Sequence, residues 1–378
     1  MRGPIVVSVF VRIIATIAAL IGGVGVLLAQ TGPISPARDR QAASRPVTRD
    51  EALWNAIQAL LQEEPPEAAP YPARLADALA QRRQLLEQLR IYLSVYPGGP
   101  RRDQAVQLEL RTLSEVATLS GGAYGPLCQR VREYIGRPPS EAALYEAAYW
   151  AIHCRRLTRG AAGSQPTSAS VLEADAAVLA EYRAYIEQYS RSRHVPRMAT
   201  VLFDAAAARG DEEAMRWVVN QVSRDFPGHA VTALLAARQR RHAAVGRPFA
   251  LRFEDADGKR IDTAVWEGSV VLIVVWAGFS GKARACVREI EALRRERRDV
   301  RVCGVNLDES EERMQAASGA LGLSWPQLHD GLGWANRFAR EWAVREVPTV
   351  FVVDREGCLV GVGGERDWRE LVAAVADN

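Results

Sequence analysis

The stretch "WAGFSGKARAC", from Trp276 to Cys286, joins an apolar run to a charged helical pattern. Proteins often place a reactive thiol where a strand is followed by a sharp turn and a helix N-terminus, because the helix dipole lowers the pKa of a thiol at that position. Ser280 precedes the predicted helix, and a serine there is typical of an N-cap rather than of an unassisted nucleophile. Cys286 shares an apolar stripe with Ile290 and Leu293, which predicts a buried, inert thiol.

The remaining sequence contains few arrangements of reactive side chains. The chain has five cysteines, and no two of them form a C-x-x-C pair. Cys128 and Cys154 either form a structural disulfide or stay reduced and buried. Cys303 and Cys358 are expected to be packing and turn residues. The five histidines lack metal-ligand spacing and no P-loop is present, so the sequence predicts neither a metal site nor another cofactor.

Charge and the N-terminal segment indicate where the protein acts. The 48 basic and 45 acidic residues leave a formal net charge of +3, so nucleic acid is not an expected partner. Arg2 and Arg12 precede an uncharged apolar run over residues 13–29, with a length between those of a signal peptide and a spanning helix. We therefore expect residues 1–30 to be a signal peptide, or a membrane anchor if uncleaved. Residues 31–47, with three prolines, are expected to form a linker.

Residues 48–244 are expected to form a helical domain. Thr48 and Glu51 have capping-box spacing at its start, and helical apolar stripes follow. Tyr189 and Phe226 end two of these helices and lie 37 residues apart, close to the tetratricopeptide period of roughly 34. The domain is therefore either a tetratricopeptide-like stack of helical hairpins or an irregular bundle.

Residues 245–378 change to a strand-rich pattern. Alternating residues predict a hairpin that turns at Asp257 and Gly258, and "SVVLIVVWA" predicts a strand buried on both faces. Further strands are expected around "DVRVCGVN" and on both sides of Gly357, with helices at residues 282–297, 309–321 and 334–342 and at the end. This order predicts an α/β domain with a mixed central sheet flanked by helices, after an all-α middle domain.

Several of these landmarks occur in register with a known family. The Trp-Ala before the helix, "GVNLDES", and the junction of Val347, Pro348 and Thr349 resemble the exported TlpA/ResA-like thioredoxin family, also called redoxin-type. The resemblance covers about residues 245–378 and implies a thioredoxin fold with a W-A-x-W-C-x-x-C dithiol opposite a cis proline. Here Ser280 and Ala283 stand at the two cysteine positions. The peroxidatic cysteine of the related peroxiredoxins would also fall at Ala283.

The resemblance, with these replacements, implies peptide binding without dithiol exchange. It places a peptide-binding edge at Trp276, Val347, Pro348 and Thr349. The sequence therefore predicts a binding or scaffolding module for envelope proteins or peptides, exported to the periplasm or tethered to the membrane. The alternative is a residual thiol-disulfide oxidoreductase or peroxidase that uses Cys286 or a partner's thiols.

Overall fold

The computed structural model describes residues 48–62, 71–160, 176–256 and 258–376 of the 378 in the chain. The predicted signal or anchor segment at residues 1–30 and the predicted linker at residues 31–47 lie outside the described residues. Within the described ranges, no helix combines the length and the apolar character needed to cross a membrane. The described residues from Asp50 onwards belong to one compact unit.

The first part of this unit is helical, as predicted, and helices adjacent in sequence pack against each other. In the second helix, for example, Leu86 and Leu89 are buried. The helices are α1 (Arg49–Gln62), α2 (Tyr71–Val95), α3 (Arg102–Leu119), α4 (Gly125–Gly136), α5 (Glu141–Gly160), α6 (Ala176–Gln188), α7 (Val195–Ala208), α8 (Glu212–Asp225) and α9 (Ala230–Ala244). The tetratricopeptide-like arrangement stays a prediction.

A fully buried carboxylate stabilises the contact between α3 and α4. Glu109 of α3 accepts hydrogen bonds from Arg130 Nε at 3.0 Å and from the Tyr134 hydroxyl, both on α4. Burial, followed by the negative charge of Glu109, raises the pKa of Tyr134. Because an unpaired buried charge is costly, the three side chains depend on one another.

The C-terminal part is built around the mixed sheet that the sequence predicts. The elements are β1 (Arg252–Glu254), β2 (Arg260–Asp262), β3 (Val270–Trp276), α10 (Gly281–Glu296), β4 (Val300–Asn306), α11 (Glu311–Ala320), β5 (Gln327–Leu328), α12 (Arg337–Glu341), β6 (Thr349–Val353), β7 (Leu359–Gly363) and α13 (Trp368–Ala376). The strands of the central sheet lie in the order β5-β4-β3-β6-β7. In this sheet β3 and β5 are parallel to β4, and β6 is antiparallel to both β3 and β7. β1 and β2 form a separate two-stranded hairpin that precedes the sheet.

The central strand β3 is buried along its whole length because it faces two separate cores. Leu272 and Val274 pack on one face, in a cluster that includes residues of α10 and α13. Ile273 and Val275 pack on the other face, in a cluster that includes residues of α12. This alternation explains why the strand reads as an unbroken apolar run.

Two local features differ from the sequence expectation. The two-residue strand β5 was not expected. The helix predicted at residues 334–342 is divided into a 3₁₀ turn (Gly333–Ala335) and the short helix α12. The division falls at Asn336, whose backbone is extended and whose side chain accepts a hydrogen bond from Ala339 N at 3.1 Å. Asn336 therefore starts a new helix instead of continuing the preceding turn.

Candidate functional site

The turn between β3 and α10 carries the residues that stand at the family's two cysteine positions. Ser280 is the N-cap of α10, with extended backbone angles of φ −91° and ψ 115°. Its Oγ accepts a hydrogen bond from Ala283 N at 3.2 Å. The exposed Lys282 lies beside them, with its Nζ 3.4 Å from a carboxylate oxygen of Glu365. The Ser280 oxygen therefore satisfies a free N–H group of the helix terminus.

The inner face of α10 belongs to the protein core. Ala283 is fully buried, and Cys286 is only 1% exposed. Burial raises the pKa of Cys286 to about 11, although the nearby Arg369 and a contact with Trp368 act in the opposite direction. A thiol in this environment is almost entirely protonated near neutral pH, so it is a poor nucleophile.

A buried aspartate holds the turn in place, and sequence analysis missed it. Asp308 is 3% exposed, and its Oδ2 accepts hydrogen bonds from Gly278 N at 2.8 Å and from Asn306 Nδ2 at 2.9 Å. A ring nitrogen of His329 lies 2.8 Å from the Asp308 carbonyl oxygen. Gly278 has no room for a side chain, because a Cβ there would lie 2.7 Å from the Ala317 Cβ. These contacts fix the path of the chain from β3 to Ser280.

The side chain of Trp276, which was expected to contribute to a peptide-binding edge, lies in the core. Trp276 is fully buried, and its indole Nε1 donates a hydrogen bond to Gln327 Oε1 at 2.9 Å. The Gln327 side chain runs directly over Gly304 of β4, where a Cβ would collide with it. Trp276 is therefore an internal link between β3 and β5.

The other predicted edge residues lie together at the start of β6. The Val347–Pro348 peptide bond is cis. Pro348 and Thr349 are largely buried, and Thr349 Oγ1 donates a hydrogen bond to the Glu346 carbonyl oxygen at 2.8 Å. An open cavity of about 370 Å³ lies beside this segment, and Lys282, Val347 and Pro348 are among its lining residues. The cavity thus lies between the N-terminus of α10 and the proline loop.

The remaining cysteines are also in the reduced form. Cys128 and Cys154 are buried in the same core cluster of the helical region without a disulfide. Burial, followed by a hydrogen bond with Cys128, raises the pKa of Cys154 to about 12. Cys303 is fully buried in β4, and burial raises its pKa, whereas Cys358 is partly exposed. None of these thiols belongs to the described residues that line the cavity beside Pro348.

Comparison with known proteins supports the assignment of the C-terminal part. Residues 244–376 match the Redoxin family model. No curated protein matches the chain. This match and the mixed sheet identify residues 244–376 as a thioredoxin-like redoxin domain.

Solved structures similar to the chain cover about a third of it. They include a thiol-disulfide oxidoreductase from Bacteroides fragilis (19% identity, 34% of this chain and 98% of that one, TM-score 0.30). The thioredoxin domain of a Bacteroides vulgatus oxidoreductase is 20% identical (35% and 98%, TM-score 0.31). A thioredoxin-family thiol:disulfide interchange protein from Chlorobium tepidum is 19% identical (35% and 99%, TM-score 0.28).

Proposed function

We propose that the redoxin domain binds extended segments of partner proteins in the cell envelope and does not exchange disulfides. The observation that carries the proposal is the chemistry of the turn at Ser280. The two positions that need sulfur hold a hydroxyl that caps the helix and a buried methyl group. Thiol-disulfide exchange requires a thiolate that attacks and a second thiol that resolves the mixed disulfide, and neither can form there.

The cavity beside Pro348 supports a binding role that does not depend on sulfur. It is open to solvent and lies where the N-terminus of α10 meets the start of β6. An extended peptide would gain affinity from main-chain hydrogen bonds and from contacts with Val347 and Pro348. The apolar run at residues 13–29 supports export, with a partner in the envelope.

A binding assay with a matched control variant tests the docking proposal. The probe is fluorescently labelled α-lactalbumin, reduced and S-carbamidomethylated so that it is unfolded and has no thiol. Gly364 lines the cavity beside Pro348, and its Cβ position is free of close contacts, so Gly364→Phe is expected to fill the cavity without strain. We expect this variant to bind the probe at least about tenfold more weakly. Gly228→Phe, at an exposed turn with open space, is expected to bind normally. Equal binding by all three proteins would refute the proposal.

A redox assay tests the absence of dithiol chemistry. We expect the full chain to leave the rate of insulin reduction by dithiothreitol unchanged and to consume no peroxide, whereas a redox-active thioredoxin accelerates insulin reduction. The burial of Cys286 argues against the alternative of a residual oxidoreductase or peroxidase. Turnover in either assay that disappears in Cys286→Ser would establish that alternative.

A further inference from the structure

A second cavity continues the one beside Pro348 towards the helical region. It has a volume of about 450 Å³ and shares Glu346, Gly364 and Asp367 with the first cavity. Its far wall is formed by Arg238 and Arg241 of α9. The two cavities therefore form one groove, with the proline loop at one end and α9 at the other.

Hydrogen bonds to backbone carbonyls hold α9 against the redoxin domain. Arg240 Nη1 donates to the Glu341 carbonyl oxygen at 3.0 Å, and Arg241 Nη1 lies 3.5 Å from the Ala343 carbonyl oxygen. Both acceptors lie in the segment that leads to Pro348. The wall that α9 contributes is thus attached to the same loop that carries the proposed docking site.

The charges along the groove are unevenly distributed. Around the proline loop, the carboxylates of Glu346, Glu365 and Asp367 outnumber the cations of Lys282 and Arg366. At the α9 end, the three cations of Arg238, Arg241 and Arg345 outnumber the two carboxylates of Glu346 and Asp367, which both cavities share. A ligand that fits this groove would carry its negative charge towards α9.

Two of the three arginines make no ion pair with a carboxylate of the described residues. Arg238 is paired with Asp204 at 2.5 Å. Among the described residues, neither Arg241 nor Arg345 makes an ion pair with a carboxylate. Burial, followed by repulsion from Arg238, lowers the pKa of Arg241, while Glu346 only partly offsets this effect. A carboxylate placed between Arg241 and Arg345 would supply the missing countercharge and accept charge-assisted hydrogen bonds.

We propose that the α9 end of the groove is a subsite for a carboxylate of the bound segment. The carboxylate comes from a glutamate or aspartate side chain or from the C-terminus of the segment. This inference rests on the proposed docking function, and it adds the helical region to the binding site.

Matched peptides test the subsite separately from docking. The probes are fluorescent alanine- and serine-based octapeptides with one central glutamate or the matching glutamine, each with a free or amidated C-terminus. We expect a free carboxylate to tighten binding about tenfold over the peptide that has none. If the glutamate gives this gain, the subsite binds a side-chain carboxylate. If the free C-terminus gives it, the subsite binds a C-terminal carboxylate. The gain is expected to shrink between 50 mM and 500 mM NaCl because the groove is open to solvent.

Arginine variants connect the effect to the proposed residues. Arg241→Gln and Arg345→Gln are each expected to remove most of the gain, while Arg298→Gln, at an exposed position outside the groove, retains it. Arg345 is exposed, so its variant remains informative if Arg241→Gln fails to fold. Equal binding of all four peptides, with competition by the unfolded probe, would refute the subsite and leave docking intact. A gain that persists in both arginine variants would also refute it. Failure of every peptide and of the unfolded probe would refute docking itself.

Discussion

The reactivity of Cys286 towards alkylating reagents tests the interpretation of the site most directly. Burial raises the pKa of this thiol from 9.0 to about 11. At pH 7.5, about 0.03% of such a thiol is thiolate, compared with about 3% for a pKa of 9, a difference of about 100-fold. Because only the thiolate reacts and the side chain is 1% exposed, we expect Cys286 to react at least about 100-fold more slowly in the native chain than in the unfolded chain.

The measurement is a timed iodoacetamide pulse on the native full-length chain, followed by digestion and mass spectrometry of each cysteine peptide. The same pulse in guanidinium chloride gives the unfolded rate. Cys303, fully buried in β4, is an internal control for a protected thiol, and the partly exposed Cys358 is a control for an accessible one. A native Cys286 rate within tenfold of the unfolded rate, with a plateau near neutral pH, would mean that the thiol is exposed and ionised. The alternative of a residual oxidoreductase would then regain support.

Three further predictions concern stability and are measured by urea denaturation. Ser280→Ala removes the acceptor of the hydrogen bond from Ala283 N and is expected to lower the free energy of unfolding by about 1 kcal/mol. Ser280→Asp retains an acceptor and is expected to keep the free energy of unfolding of the unchanged chain. Arg297 lowers the pKa of Asp299 to about 2, so Asp299→Asn is expected to lower the free energy of unfolding by about 1 kcal/mol at pH 7. This value is smaller than the pKa shift alone would give, because the carboxylate is about one-third exposed and solvent screens its ion pair. That difference should vanish as the pH falls from 4 towards 2, and a constant difference would contradict it. Glu109→Ala leaves buried partners uncompensated and is expected to cost about 3–5 kcal/mol, with a smaller loss in Glu109→Gln.

Local sequence patterns were sufficient to predict much of the fold. The unbroken apolar run at residues 270–276 predicted the central strand because both faces of that strand are covered. The helical stripe of Cys286 and Ile290 correctly indicated which face of α10 points inward. The two-residue strand β5 left no pattern, because periodicity needs more residues than that. The restart of the helix at Asn336 depends on a single side-chain hydrogen bond within an otherwise helical pattern.

The parts of the site that sequence analysis missed depend on contacts between distant segments. The acidic group after "GVNL" reads as the solvated start of a helix, but Asp308 turns inward to bond Gly278, 30 residues away. Trp276 pairs with Gln327, 51 residues away, and this pairing draws its indole into the core. The arginines of α9 reach the redoxin domain across about 100 residues of chain. Periodicity and spacing within a window carry no information on such pairings.

The attachment of α9 to the main chain of the redoxin domain has a consequence for how this protein can diverge. Every residue type presents the same carbonyl oxygen, so the acceptors at Glu341 and Ala343 survive replacement of either side chain. The loop before Pro348 can thus vary its side chains while its attachment to α9 persists. The donors have less freedom, since each bond comes from the end of an arginine side chain, at position 240 or 241. Relatives that keep this joint should therefore retain arginine on the helix and differ in the loop.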